Sequence, residues 1–260
     1  ATSRRAIDEL ANMVANGRIP TAEDVNRVVA MLKTNSGAKA AEVLSQSILS
    51  SRGKTIRPKT EGQKTYVDAI DQHTIVFGIG PAGTGKSYCA GALAAEALES
   101  GRIERIILTR PAVEAGENLG FLPGEVEEKY AVYIDAFRDI LNERLGSGVV
   151  DYCLRHGRIV GAPLAYMRGK TFSNNTFVIL DEAQNTTPAQ MKMFLTRIGE
   201  HAKVVINGDI RQSDLRGPNG LEDAINKVKG LPGVYIHTFE RGDIVRSGLV
   251  RKIMDRYEPD

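Results

Sequence analysis

Thr74-Ile75-Val76-Phe77-Gly78-Ile79 runs straight into Gly80-Pro81-Ala82-Gly83-Thr84-Gly85-Lys86-Ser87, and a stretch with helical character follows from residue 86 to residue 100. The eight residues from Gly80 fit the Gly-x-x-x-x-Gly-Lys-Ser pattern of a phosphate-binding loop, and a preceding strand and following helix are the setting that the pattern requires. Glycines let the backbone fold around phosphates, so that successive N–H groups and the positive end of the helix face the anion. Lys86 is then placed to bridge β and γ oxygens, and Ser87 to hold Mg²⁺.

The same alternation of strand and helix continues from residue 60 onward. Short, continuously apolar runs at Thr74 to Ile79, Arg105 to Thr109, Phe177 to Leu180, Val204 to Asn207 and Val234 to Thr238 read as strands buried on both faces. Helical segments are expected at 61–71, 86–100, 124–145, 188–199, 219–228 and 244–257. Together they predict an α/β fold, a parallel sheet with helices on both faces. Residues 110–170 are longer than a simple crossover needs and read as an insertion, acidic in its first half and basic in its second.

Residues 1–59 carry ten basic and five acidic side chains. Ile7, Leu10 and Val14, then Val25, Val28, Val29 and Leu32, fall at helical spacing, so residues 1–51 are expected to form a small helical extension. Thr21 and Asp24 resemble a capping box, and Asn16-Gly17 a helix stop. Residues 52–59, polar and basic without periodicity, read as a linker or as an arm that pairs along a partner, ahead of a main domain over 60–260.

Composition narrows the classes. The chain has 260 residues, 42% of them hydrophobic and 25% charged, with a formal charge of +2. These are globular values, and no apolar run is long enough for a membrane span. Two cysteines, Cys89 and Cys153, cannot form a disulfide framework, so a cytoplasmic location is the default. The chain starts at Ala1, not Met, as after removal of a preceding segment. Four dispersed histidines (His73, His156, His201, His237) lack ligand spacing and read as structural.

A second chemical signal is Phe177-Val178-Ile179-Leu180-Asp181-Glu182-Ala183-Gln184, an apolar strand ending in two carboxylates. Asp181 suits a hold on Mg²⁺ and Glu182 the polarisation of an attacking water. A third strand delivers Gly208-Asp209-Ile210-Arg211-Gln212, where the Gln212 amide is expected beside the γ-phosphate as a sensor. Gln63, one short helix before the first strand, has the donor and acceptor needed for an adenine edge. The residues expected around the nucleotide are therefore Gln63, Gly80, Pro81, Ala82, Gly83, Thr84, Gly85, Lys86, Ser87 and Tyr88.

These motifs resemble the first motor domain of superfamily 1 helicases. Thr109-Arg110-Pro111-Ala112-Val113-Glu114-Ala115-Gly116-Glu117, Leu119-Gly120-Phe121-Leu122-Pro123-Gly124, Ala162-Pro163-Leu164-Ala165-Tyr166-Met167-Arg168-Gly169 and Asp243-Ile244-Val245-Arg246 are similar, more closely, to the PhoH family of ATPases. The resemblance spans about residues 52–258 and implies a single RecA-like domain, ATP and Mg²⁺ as cofactors, a link to RNA metabolism and a possible ribonuclease partner. Asp214-Leu215-Arg216 departs from the family's Asp-Leu-Pro, which touches only the loop after Gln212.

The expected activity is ATP hydrolysis coupled to RNA or another single-stranded nucleic acid. An ATP-gated binding module and a phosphotransferase are the alternatives; Glu182 counts against the latter. Arg110, Arg168 and Lys170 are expected to meet nucleic acid over the sheet's carboxyl end. A RecA-like motor without a second domain calls for an arginine from a neighbour, so Arg246 is expected to act across subunits of a homo-oligomer, a ring of six.

Overall fold

The computed structural model describes residues 2–15, 19–33, 49–51, 54–111, 126–167, 171–172, 175–213, 217–245 and 256. Along them run the helices α1 (Thr2–Ala15) and α2 (Ala22–Lys33), then the strands β1 (Leu49–Ser51) and β2 (Lys54–Ile56). Next come α3 (Glu61–Gln72), β3 (Ile75–Ile79), α4 (Lys86–Glu99), β4 (Arg105–Arg110), α5 (Val126–Leu145), α6 (Ser147–Arg155) and β5 (Ile159–Pro163). The chain continues through β6 (Thr176–Leu180), α7 (Pro188–Leu195), β7 (Lys203–Gly208), α8 (Gly220–Val228) and β8 (Val234–Thr238).

Strands β3 to β8 form one sheet in the order β5-β4-β6-β7-β3-β8, and every neighbouring pair is parallel. Successive side chains of a strand face opposite ways, and here both sets are apolar. Val76, Ile106, Leu108, Phe177, Ile179 and Val205 join a core with Tyr66 and Ile70 of α3, Leu93 of α4 and Phe137 and Leu141 of α5. Phe77, Ile79, Val178, Leu180, Val204 and Ile206 join a second core with Met191 and Phe194 of α7 and Leu221 and Ala224 of α8. The expected parallel sheet with helices on both faces is thus present, preceded by a helical N-terminal extension.

Helix α4 is built from small residues because it is covered on almost every side. A Cβ on Gly91 would lie 2.9 Å from Ile140 Cγ2 and 3.1 Å from Phe137 Cδ1, so α4 and α5 pack too closely there for a larger residue. Burial pushes the Cys89 thiol up to about 12, as befits a core residue without thiolate chemistry. In the N-terminal extension, Ala6, Met13 and Val28 pack as a separate small core. The Thr21 and Asp24 box closes reciprocally, Asp24 N–H donating to Thr21 Oγ1 and Thr21 N–H to Asp24 Oδ2.

Three readings of the sequence need correction. The insertion assigned to residues 110–170 carries α5, α6 and a sixth core strand, β5, paired with β4. It escaped notice because Gly161-Ala162-Pro163 has little strand propensity; an edge position tolerates that proline. The linker assigned to 52–59 contains β2, which pairs antiparallel with β1 in a register that sets Ser51 against Lys54. Two intervening residues, one a glycine, are the spacing of a tight hairpin. The helix expected at 188–199 stops at Leu195; that at 244–257 falls mostly outside the described residues, and Ile244 has extended backbone (ψ 115). Among the described residues no helix is long and apolar enough to cross a membrane.

One contact sets α3 against the sheet. Tyr66 is fully buried and its hydroxyl donates to Asn207 Oδ1 of β7 at 2.5 Å. Burial raises the Tyr66 pKa well above its ordinary value, with Cys89 and Asp181 adding to the effect. The ring passes over Gly78, where a Cβ would come within 2.7 Å of Tyr66 Cε2 and of Asn207 Oδ1. Replacing Tyr66 by Phe would leave the buried Asn207 oxygen without this donor, and is expected to cost about 1 to 3 kcal/mol of unfolding free energy in denaturant titration. An unchanged midpoint would show that the pair does not anchor the helix.

Candidate functional site: a phosphate loop facing two acidic strand ends

The loop after β3 takes left-handed backbone at Gly80 (φ 146), Gly83 (φ 84) and Gly85 (φ 83). A Cβ at Gly80 would lie 2.8 Å from both Cβ and the carbonyl oxygen of Phe239, and one at Gly85 2.6 Å from Gln63 Nε2. Gly80 N–H donates to the Gly208 carbonyl of β7 at 3.1 Å, and Thr84 Oγ1 closes the turn onto the Pro81 carbonyl at 3.0 Å. Gly85 is the N-cap of α4 and offers no side chain to cap it. The first N–H groups of a helix have no partner within the helix, so the α4 end presents donors and the positive pole of its dipole to the loop's concavity.

Lys86 folds back over this loop, its ammonium donating to the carbonyls of Gly80 (2.6 Å) and Pro81 (2.8 Å). Burial lowers its pKa, and the carboxylates of Asp209, Asp181 and Glu182 oppose that shift. All three acids stand at the carboxyl ends of β6 and β7, next to the loop. With Ala82, Gly83, Gly85, Lys86, Ser87, Tyr88, Gly208 and Gln212 they line a cleft of about 290 Å³.

Within the cleft, Ser87 Oγ donates to Asp181 Oδ1 at 3.0 Å. Glu182 has left-handed backbone, φ 55 and ψ 38, and opens the short turn Ala183–Asn185. Its Oε2 accepts from Gln184 Nε2 at 2.7 Å, while Gln184 Oε1 accepts Asp209 N–H at 3.1 Å. Gln184 thereby ties the end of β6 to the end of β7. Its positioning role was not read from the sequence, although it stands in the quoted motif. The signal was faint because any polar residue is compatible with a strand end.

Gln63 is buried beneath the loop. Its Nε2 donates to the Thr84 carbonyl at 2.9 Å and its Oε1 accepts Lys59 N–H at 2.8 Å. Thr60 caps α3 by accepting Gln63 N–H, which sets the amide at the helix start, one turn before Tyr66. Tyr88 also reaches the cleft, with its hydroxyl donating to Glu143 Oε2 at 3.4 Å.

Arg110, expected to meet nucleic acid, also pairs within the site: its Nη2 donates to Asp181 Oδ2 at 2.8 Å as an ion pair, with its side chain still 31% exposed. Asp181 is 4% exposed, and a carboxylate so buried needs a compensating cation. Strand β4 pairs with β6 and brings Thr109 level with Leu180, so the next residue of each strand, Arg110 and Asp181, meet by register. Arg168, Lys170 and Arg246 lie outside the described residues.

The donor set suits Mg²⁺. A hydroxyl and a carboxylate already in contact fit a cation that takes one or two protein ligands and completes its shell with phosphate and water. Among the described residues no group of three or more His, Cys, Asp or Glu side chains is arranged as a metal cage.

Known proteins are similar to this chain in sequence. The family described as PhoH-like protein matches residues 55–258. A PhoH-like protein of Mycobacterium tuberculosis (strain ATCC 25618 / H37Rv) is 51% identical over 259 residues, 99% of this chain and 73% of that protein. One from Bacillus subtilis (strain 168) is 46% identical over 257 residues, 98% of this chain and 80% of its own length. Protein PhoH of Escherichia coli (strain K12) is 48% identical over 206 residues, 78% of this chain and 58% of that protein. Among solved structures, the UvsW helicase from bacteriophage T4 aligns with a TM-score of 0.43 and 18% identity, over 76% of this chain and 66% of that one.

The left-handed backbone at Glu182 makes a prediction about stability. That conformation is unfavourable for a residue with a Cβ and free of strain for glycine, by about 1 kcal/mol. Glu182→Gly is therefore expected to keep or raise the melting temperature despite losing the bond to Gln184. A marked fall would mean that the carboxylate holds the turn together.

Proposed function

Because the chain belongs to the PhoH family of P-loop NTPases, we propose that it hydrolyses ATP with Mg²⁺ and couples the reaction to RNA or another single-stranded nucleic acid. The observation that carries this reading is the convergence of Lys86, Ser87, Asp181, Glu182 and Gln212 on one cleft at the carboxyl ends of three parallel strands. Ligands of open parallel sheets bind at that end.

In this reading the loop N–H groups and the α4 end hold the phosphates, and Lys86 turns from the loop carbonyls to their β and γ oxygens. Ser87 and Asp181 hold Mg²⁺, which when bound neutralises charge on those oxygens. Glu182 accepts a hydrogen bond from the attacking water and orients it in line with the γ-phosphate. Gln212 bonds the water or the γ-phosphate and so distinguishes the two states. Beyond its two amide bonds among the described residues, Gln63 carries a second N–H and a second carbonyl lone pair, the donor and acceptor that an adenine edge calls for.

Arg110, Arg168 and Lys170 are the proposed contacts to phosphate backbone, Arg110 from a position where it also pairs with Asp181. Arg246 remains the proposed arginine in trans, within a homo-oligomeric ring, and a ribonuclease is a proposed partner by family resemblance.

Two substitutions test the assignment of roles. Lys86→Ala is expected to abolish tight ATP binding, whereas Glu182→Gln should bind ATP and lose most of its turnover, by a factor of about 100 or more. Turnover in Glu182→Gln at the parent rate would contradict the role given to the carboxylate. Turnover measured with and without single-stranded RNA tests the coupling: stimulation supports a motor, and its absence together with ATP-dependent RNA binding would point to a gated binding module.

A further inference from the structure

The phosphate loop is held from a side that its own motif does not predict. After β8 the chain makes one short turn, Arg241–Asp243, and returns to the site. Val245 N–H donates to the Gly83 carbonyl of the loop at 2.9 Å. Two residues earlier, Asp243 Oδ1 accepts Gly62 N–H at the start of α3, at 3.1 Å and across 181 positions of sequence. The neighbouring residue, Gln63, donates from its amide to the Thr84 carbonyl at 2.9 Å.

These bonds close a circuit. It runs from Gly62 to Asp243, along the backbone to Val245, across to Gly83, along the loop to Thr84, and back through Gln63. Three distant segments thus fix one another, and the two loop carbonyls that they grip belong to adjacent residues. Gly62 is a glycine for a steric reason, because a Cβ there would fall 2.3 Å from Asp243 Oδ2.

We infer that Asp243 is a positioning residue for nucleotide binding, acting through Gly62 and Val245 to hold Gly83 and Thr84 in the conformation that receives phosphate. Its two carboxylate oxygens divide the work. Oδ2 accepts Glu240 N–H at 3.0 Å and caps the local turn; Oδ1 reaches α3. The local cap alone would give the turn its shape without touching the site. The long-range bond makes the turn a strap across the loop. A carboxylate is suited to this task because it accepts two N–H groups at once, whereas an amide of the same shape presents N–H to one of them.

Asp243 has this role only if the cleft is the nucleotide site proposed above, and the experiment separates the two. Binding of a fluorescent methylanthraniloyl derivative of ATP with Mg²⁺ is measured for the parent chain, Asp243→Asn, Gly62→Ala, Gln63→Ala and the Asp243→Asn/Gln63→Ala double variant, alongside each melting temperature. Glu240→Ala, which removes the other side chain of the local turn, is the control.

Asp243→Asn and Gly62→Ala are each expected to weaken binding roughly tenfold, the scale of a lost hydrogen bond to a charged group. Glu240→Ala should bind like the parent. Gly62→Ala is the sharper variant, since alanine is the better helix former and the carboxylate itself is retained. Should Asp243→Asn fold poorly, Gly62→Ala decides. Members of one circuit are not additive, so the double variant should lose less than the product of the single losses; a local structural role would leave the losses multiplicative. Parent affinity in both Asp243→Asn and Gly62→Ala, or multiplicative losses in the double variant, would overturn the role of Asp243. Failure of the parent itself to bind would instead overturn the nucleotide reading of the cleft.

Discussion

A backbone that turns its N–H groups toward one point cannot also fill that space with side chains, and this constraint organises the molecule. Left-handed glycines at 80, 83 and 85 let the loop curl, but a chain so free of side chains has little packing of its own. Its conformation has to come from neighbours. Gly80 is bonded to β7, Thr84 is gripped by Gln63, and Phe239 closes against the loop's start. The buried Tyr66 to Asn207 bond holds α3, and with it Gln63, in register with the sheet. The two apolar cores secure the strands whose ends meet the loop.

Charge balance is the second condition. Lys86 is drawn from water among Asp209, Asp181 and Glu182, and burial favours its neutral form while the carboxylates favour the ammonium. Asp181 is more buried still, and Arg110 supplies its counter-charge. A basic residue at the end of β4 is therefore part of the cluster at the carboxyl end of the sheet, where it pairs with a carboxylate that also accepts from Ser87. Gln184 does comparable work for Glu182 and Asp209, linking the acidic strand ends across the sheet.

Much of this was legible in the sequence because five of the six core strands read as unbroken apolar runs; β3, β6 and β7 are mostly buried, while β4 and, at the sheet edge, β8 are only partly so. The loop motif and the acidic pair after Leu180 could be placed from local sequence alone. What escaped depends on pairing between distant segments. Gly161-Ala162-Pro163 becomes a strand only because β4 offers a partner, and Lys54 to Ile56 only because β1 does. Arg110 carries the same charge wherever its side chain lies, and only the register of β4 on β6 brings it to the Asp181 carboxylate. The bond between Asp243 and Gly62 is likewise invisible at a separation of 181 residues.

The loop, Ser87 and the acidic strand ends are proposed to form one nucleotide and Mg²⁺ site. A crystal structure of the chain with a non-hydrolysable ATP analogue and Mg²⁺ tests it most directly. The expected result is a triphosphate enclosed by residues 80–87, with Lys86 moved from the loop carbonyls to phosphate oxygens and the metal held on the side of Ser87 and Asp181. A nucleotide bound elsewhere, or an enclosed triphosphate whose metal lies away from both residues, would contradict it.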